Sequence, residues 1–137
     1  MRRAGVVLAV LFAVSSLMPL VHAGARGRTL VTNNCLHLRY KPRYILFACA
    51  DGGFYVRQTE WSSWHRFRAT GHGVFHQNDC DPSCAGGTFH TVPGRIVLKD
   101  RMRCPEQHHY AFDRAVITFD GTLLGRHRVR ARMFCPL

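Results

Sequence analysis

A chain of 137 residues with 19 lysines and arginines against 8 acidic residues, a formal charge of +11 and six cysteines is long enough for one modest core and too short for a second domain beside it. The cationic excess favours anionic partners; it is nearly all arginine, Lys41 and Lys99 being the only lysines, and arginine suits planar acceptors such as phosphate and carboxylate. No internal repeat or low-complexity run is present, and chain breakers recur too often for helices of useful length.

Arg2 and Arg3 lead into VVLAVLFAVSSLMPLV, an apolar stretch short for a membrane span, and Val21-His22-Ala23 places small residues at the −3 and −1 positions of a cleavage site. A retained anchor fits the polar GARGRT that follows poorly, and Cys35 lies too far past the apolar run for a lipid anchor. The expected organisation is a signal peptide over 1–23, an N-terminal extension over 24–43 and a single β-rich, disulfide-bonded domain over 44–137. The protein is then secreted, with no transmembrane segment after processing. Loss of Arg2 and Arg3 with the leader lowers the charge from +11 to +9. Cys35, Cys49, Cys80, Cys84, Cys104 and Cys135 all follow the leader, and an even number in an exported chain reads as three disulfides whose pairing the spacing leaves open.

YILFACA (44–50) is continuously apolar, as a strand buried on both faces should be, and ends at the turn signal Asp51-Gly52-Gly53. FYVRQTEW (54–61) returns as the second arm of a hairpin. After Ser62-Ser63 the stretch 64–77 is extended again, with Gly71 and Gly73 marking a bulge or bend in it. TFHTV (88–92) and RIVLKD (95–100) flank Pro93-Gly94, which break or kink the strand between them. In 109–121, Ala115, Ile117 and Phe119 alternate with Arg114, Val116 and Thr118, and Asp120-Gly121 closes the strand. The expected fold is all-β: a small antiparallel sheet, as a meander sandwich or partly open barrel, stapled by disulfides.

The last segment, RHRVRARMF (126–134), is the most regular. Arg126, Arg128, Arg130 and Arg132 take alternate positions, with His127, Val129, Ala131 and Met133 between them. A strand puts four guanidiniums on one face and an apolar row on the other, whereas a helix scatters them. Side chains on one strand face stand about 6.6 Å apart, near the phosphate spacing of an extended polyanion. A solvated basic strand that discourages aggregation shows the same pattern.

HQNDCDPSCAGGTFH (76–90) packs reactive side chains closely. His72, His76, Cys80 and Cys84 recur every four residues, a metal-binding stripe on a helix, but glycine, proline and Asx residues forbid the helix, and on a strand they lie about 13 Å apart. Redox chemistry needs C-x-x-C at a helix N-terminus, and neither is present. The expectation is therefore a structural staple with no metal and no cofactor, built on a turn rich in Asn, Asp, Pro and Ser.

ACADGG (48–53), Trp61, Trp64, A-x-G-x-G (69–73), NDCDPSCAGGTF (78–89) and Pro93 together resemble a family of small secreted or membrane-anchored actinobacterial proteins of unassigned activity. The resemblance covers about residues 44–120 and implies export and a β-rich domain, with no catalytic residues. Proteins of this kind carry cysteines at the positions of Cys49, Cys80, Cys84 and often Cys104. Cys35 and Cys135 then look like additions that pair with each other, leaving the other four to bridge the NDC loop to its neighbours.

Two functional expectations result. The first is a non-enzymatic, monomeric module that binds anionic envelope or extracellular polymers, host glycans or an anionic membrane surface, with nucleic acid left open, through Arg126, Arg128, Arg130 and Arg132. Trp61 and Trp64 are candidate stacking groups, although such a pair is commonly core and rim. The second is a small hydrolase, such as a ribonuclease, drawing acid and base groups from Glu106, His108, His109 and Asp113. No nucleophile elbow, paired-carboxylate motif or metal signature supports it.

Overall fold

In the computed structural model, which describes residues 27–136, no helix forms and 62% of the described residues lie in strands. The expected signal peptide lies outside the described residues. Eight strands form one curled, half-barrel sheet: β1 (Thr29–Thr32), β2 (Leu38–Arg39), β3 (Ile45–Leu46), β4 (Phe54–Trp64), β5 (Arg68–Asn78), β6 (Phe89–Cys104), β7 (His109–Leu123) and β8 (Arg126–Arg132). The spatial order is β2-β1-β7-β6-β5-β4-β3, with β8 also on β7. Every pairing is antiparallel except β1 with β7, which is parallel through Thr29↔Tyr110 and Leu30↔Ala111. Residues 29–39, placed in an N-terminal extension by the sequence, thus carry two strands of the sheet.

Alternation divides the sheet into two faces. Inward lie Val56, Ala69, Phe75, Ile96, Leu98, Ala115, Ile117 and Phe119, joined by Val31, Ile45, Phe112 and Met133 in one core. Phe75 and Phe112 are fully buried, each a contribution of about 1.5–3 kcal/mol. The sheet curls where backbones approach closely. Gly73 faces Gly94 across β5 and β6; a Cβ on Gly73 would stand 2.8 Å from Val56 Cγ2, and one on Gly94 2.8 Å from the Thr118 carbonyl oxygen. Side chains there would force the layers apart.

Several local expectations are corrected. Residues 44–50 do not form a strand buried on both faces: only Ile45–Leu46 pair with β4, and Cys49 is exposed, because the chain turns away to bond Cys35. Ser62-Ser63 do not separate strands, since β4 runs to Trp64 and the turn falls at residues 65–67. The bulges expected at Gly71 and Gly73 sit opposite them in β4, between Arg57 and Glu60 and between Trp61 and Ser63. Pro93-Gly94 do not break β6; pairing with β7 starts only at Gly94, so the missing Pro93 N–H falls where β6 has one neighbour. Asp120-Gly121 do not end β7. The hairpin turns at Leu124-Gly125, both at positive φ (48° and 76°), as a tight two-residue turn between twisted strands requires.

The disulfides are Cys35–Cys49, Cys80–Cys84 and Cys104–Cys135. The expected Cys35–Cys135 bridge is overturned, although the two segments do meet, the Thr32 hydroxyl donating to the Phe134 carbonyl. Beyond that contact the chains diverge. Cys35 lies over the β3–β4 connection, while the C-terminal segment runs beside the β6–β7 hairpin, where Gln107 donates to the Pro136 carbonyl, and so meets Cys104.

Loop length ranks the three bridges. Removing Cys104–Cys135, Cys35–Cys49 and Cys80–Cys84, with sequence separations of 31, 14 and 4, should cost about 4, 3 and 2 kcal/mol respectively if unfolded-chain entropy dominates. Denaturant unfolding of the three double-alanine variants checks the order; a Cys80–Cys84 variant less stable than the Cys104–Cys135 variant would contradict it.

Candidate functional site

The β7–β8 ladder pairs Arg114↔Arg132, Val116↔Arg130 and Thr118↔Arg128, which turns the arginines outward while Val129 and Ala131 pack on the core. Arg128, Arg130 and Arg132 line an outer groove of about 490 Å³ with Lys99, Asp100, Arg114 and Val116. Arg126 does not join them: it stands opposite Leu123 beside the turn.

Register extends the cluster beyond β8. Arg132 faces Arg114, Arg114 faces Lys99, and Lys99 faces Arg68, so one transverse row of four cations crosses β8, β7, β6 and β5. Two residues along each strand the row is Arg130, Val116, Val97 and Thr70; two further it is Arg128, Thr118, Arg95 and His72, continued by Glu60 on β4. Val97 is only 8% exposed on this outer face, consistent with long cationic stems lying over it. An acid answers the cations in one place, where Asp100 pairs with Arg114; beside the row of Arg128 and Arg95, Asp120 accepts from His72 Nε2 at 2.9 Å.

Trp61 and Trp64 pack edge to face, centroids 4.6 Å apart, on the core side of the sheet. Their Nε1 atoms donate to the carbonyls of Pro42 (2.8 Å) and Thr29 (2.9 Å), and Trp64 contacts Phe112 edge to face at 5.4 Å. The tryptophans and the arginine groove therefore occupy opposite faces. Of the acid and base candidates, Glu106 and His108 lie in the β6–β7 turn and His109 and Asp113 on β7. Among the described residues the histidine–carboxylate contacts are instead His72–Asp120 and His90–Asp79. Lys99, Arg114, Arg68 and Arg95 were not singled out by the sequence; the alternation in 109–121 carries a signal for Arg114 alone.

The NDC loop is a staple. Asn78 Oδ1 accepts from the Cys80 amide at 2.9 Å while its Nδ2 donates to the Cys84 carbonyl at 2.8 Å. Asp79 Oδ1 accepts from the amides of Asp81 and Thr88, and its Oδ2 from His90 Nε2 at 2.9 Å. Asp51 approaches the sulfurs of Cys80 and Cys84, but these are bonded to each other and offer no thiolate.

No family model, curated protein or solved structure matches this chain.

Hydrogen bonds from His90, then from the Thr88 and Asp81 amides, hold the Asp79 pKa down at about 2. A carboxyl with a lowered native pKa contributes stability that is complete above its unfolded value, about 3.9, and lost as pH falls through about 2. The Thr88 and Asp81 amides should therefore lose exchange protection between about pH 4 and pH 2, and Asp79→Asn should abolish that dependence. Protection unchanged down to pH 2 in the parent would contradict the assignment.

Proposed function

We propose that this protein is a secreted, non-enzymatic basic module that binds anionic polymers of the cell envelope or extracellular space through the outer face of β5 to β8. The observation that carries the reading is the row Arg132, Arg114, Lys99, Arg68. Like charges directly opposite on neighbouring strands destabilise a sheet by roughly 0.2–1 kcal/mol per pair. Asp100 answers only Arg114, so the row is least costly when an external anion lies across it. A groove crossed by successive rows suits a chain of anions better than a plane of headgroups, which favours a polymer over a membrane surface. The three disulfides fit an oxidising environment, and the N-terminal apolar stretch and the resemblance to exported actinobacterial proteins support secretion.

The test is retention on immobilised heparin as a function of salt. Arg128→Gln/Arg130→Gln/Arg132→Gln should elute earlier, with the slope of log affinity against log salt reduced by about 2–3, because each cation–phosphate contact releases counterion. Arg126→Gln, outside the groove, should elute near the parent after correction for one charge. Thermal stability of the triple variant should equal or exceed the parent's, since like-charge neighbours are removed, whereas Met133→Asp should unfold the domain by burying an unpaired carboxylate. Parent-like retention of the triple variant, or loss of its fold, would overturn the reading.

A further inference from the structure

The outer face does not end at the cations. Along β4, β5 and β6, beyond Arg95 and His72, the next outward residues are Arg57, Val74 and Pro93, and beyond them Tyr55, His76 and Thr91. Tyr55 and His76 stack with centroids 4.7 Å apart and ring planes 14° from parallel. Arg57 lies over the Tyr55 ring at 5.0 Å. Phe89 and Tyr44 flank Tyr55 at 5.7 Å each, and Phe89 is 45% exposed. One face thus carries a ring cluster at one end and the cation rows at the other, with Arg57 and Arg95 between. From His76 to Arg68 along β5 is about 26 Å at the usual rise per residue.

We infer that the polymer bound by this face is single-stranded nucleic acid, with unpaired bases stacked on Phe89 and on His76, which Tyr55 backs, and its phosphates lying along the cations from Arg57 to Arg132. The inference rests on the anion-binding reading above and adds the second chemical requirement, a planar ring on the ligand. Duplex bases are already stacked on one another and offer these rings nothing, whereas a single strand can splay bases outward while its backbone tracks a basic groove. A sulfated or carboxylated polysaccharide satisfies the cations but supplies no aromatic face. Burial, and then the Arg57 charge, lower the His76 pKa from its ordinary value, which favours the neutral ring. A surface shaped only to attract anions would be better served by an imidazolium there; a stacking surface is better served by the neutral ring. The 26 Å track fits a site of several nucleotides, within the roughly 4–16 that small β-domains accommodate.

The experiment measures anisotropy of a labelled oligothymidylate, of its duplex with oligoadenylate and of a heparin oligosaccharide of matched charge, each titrated with the disulfide-bonded protein at one moderate salt concentration. The parent should bind the single strand most tightly. Phe89→Ser and His76→Ala should each weaken single-strand binding on the order of tenfold while leaving heparin binding unchanged. Arg128→Gln/Arg130→Gln/Arg132→Gln should weaken both. As a readout independent of any variant's folding, the Tyr55 and His76 ring resonances of the parent should shift with oligothymidylate and stay in place with heparin. Equal affinity for duplex and single strand, aromatic variants that bind like the parent, or ring resonances unmoved by the oligonucleotide would overturn the nucleic-acid inference and leave the anion-binding reading standing. Failure of the parent to bind any of the three polyanions would overturn both.

Discussion

The register of β7 fixes everything else in the sheet. One edge of this strand pairs with β6 along nearly its whole length; the other is shared end to end, β1 taking Tyr110 and Ala111 and β8 taking Arg114 to Leu123. Met133 then donates its amide to the Asp113 carbonyl where the two partners meet. Because side chains alternate along a strand, a slip of one residue in the β7–β8 ladder would turn Val129 and Ala131 outward and the three groove arginines into the core. Burial of Met133 and the Cys104–Cys135 bond both act against such a slip. The basic groove is therefore as well defined as the core behind it, being the other side of the same ladder.

What the sequence displayed and what it concealed divide along the range of the interaction. The alternation in 109–121 and 126–134 announced two strands and the shared direction of Arg128, Arg130 and Arg132, since period two is a property of a strand alone. The staple character of NDCDPSC was likewise legible from its turn-forming residues. Disulfide partners were not: whether Cys135 meets Cys35 or Cys104 depends on where β8 lies against β7, which no local pattern states. For the same reason the sequence offered Arg126 as a fourth member of the site and missed Lys99, Arg68 and Arg95. Regular spacing within a strand reveals a row along it, whereas the row that defines this groove runs across four strands. Pro93 and Asp120-Gly121 misled for a related reason: each is a breaker by propensity, tolerated because β6 has a single neighbour at Pro93 and because Leu124-Gly125 supply the turn.

The two faces of the sheet divide labour by chemistry. Inward, aromatic and branched residues make the fold, and the tryptophans join them with both indole N–H groups bonded to backbone carbonyls. Outward lie opposed like charges with only a few acids to answer them, beside the stacked cross-strand pair of Tyr55 and His76. Opposed like charges run against the preferences of a β-ladder, and under the proposed reading a bound polyanion would offset that cost.

The arrangement of edges adds a further consequence of the arginine period. The strands that close the ordered path, β2 and β3, are two residues long, too short to template another chain. β8 is a long strand whose other side has no strand partner among the described residues, and it carries a guanidinium at every second position. Two copies approaching edge to edge there would bring their arginine rows side by side, so mutual repulsion guards this edge. A polyanion lying along the same row would lift that guard, coupling occupancy of the groove to the colloidal behaviour of the protein.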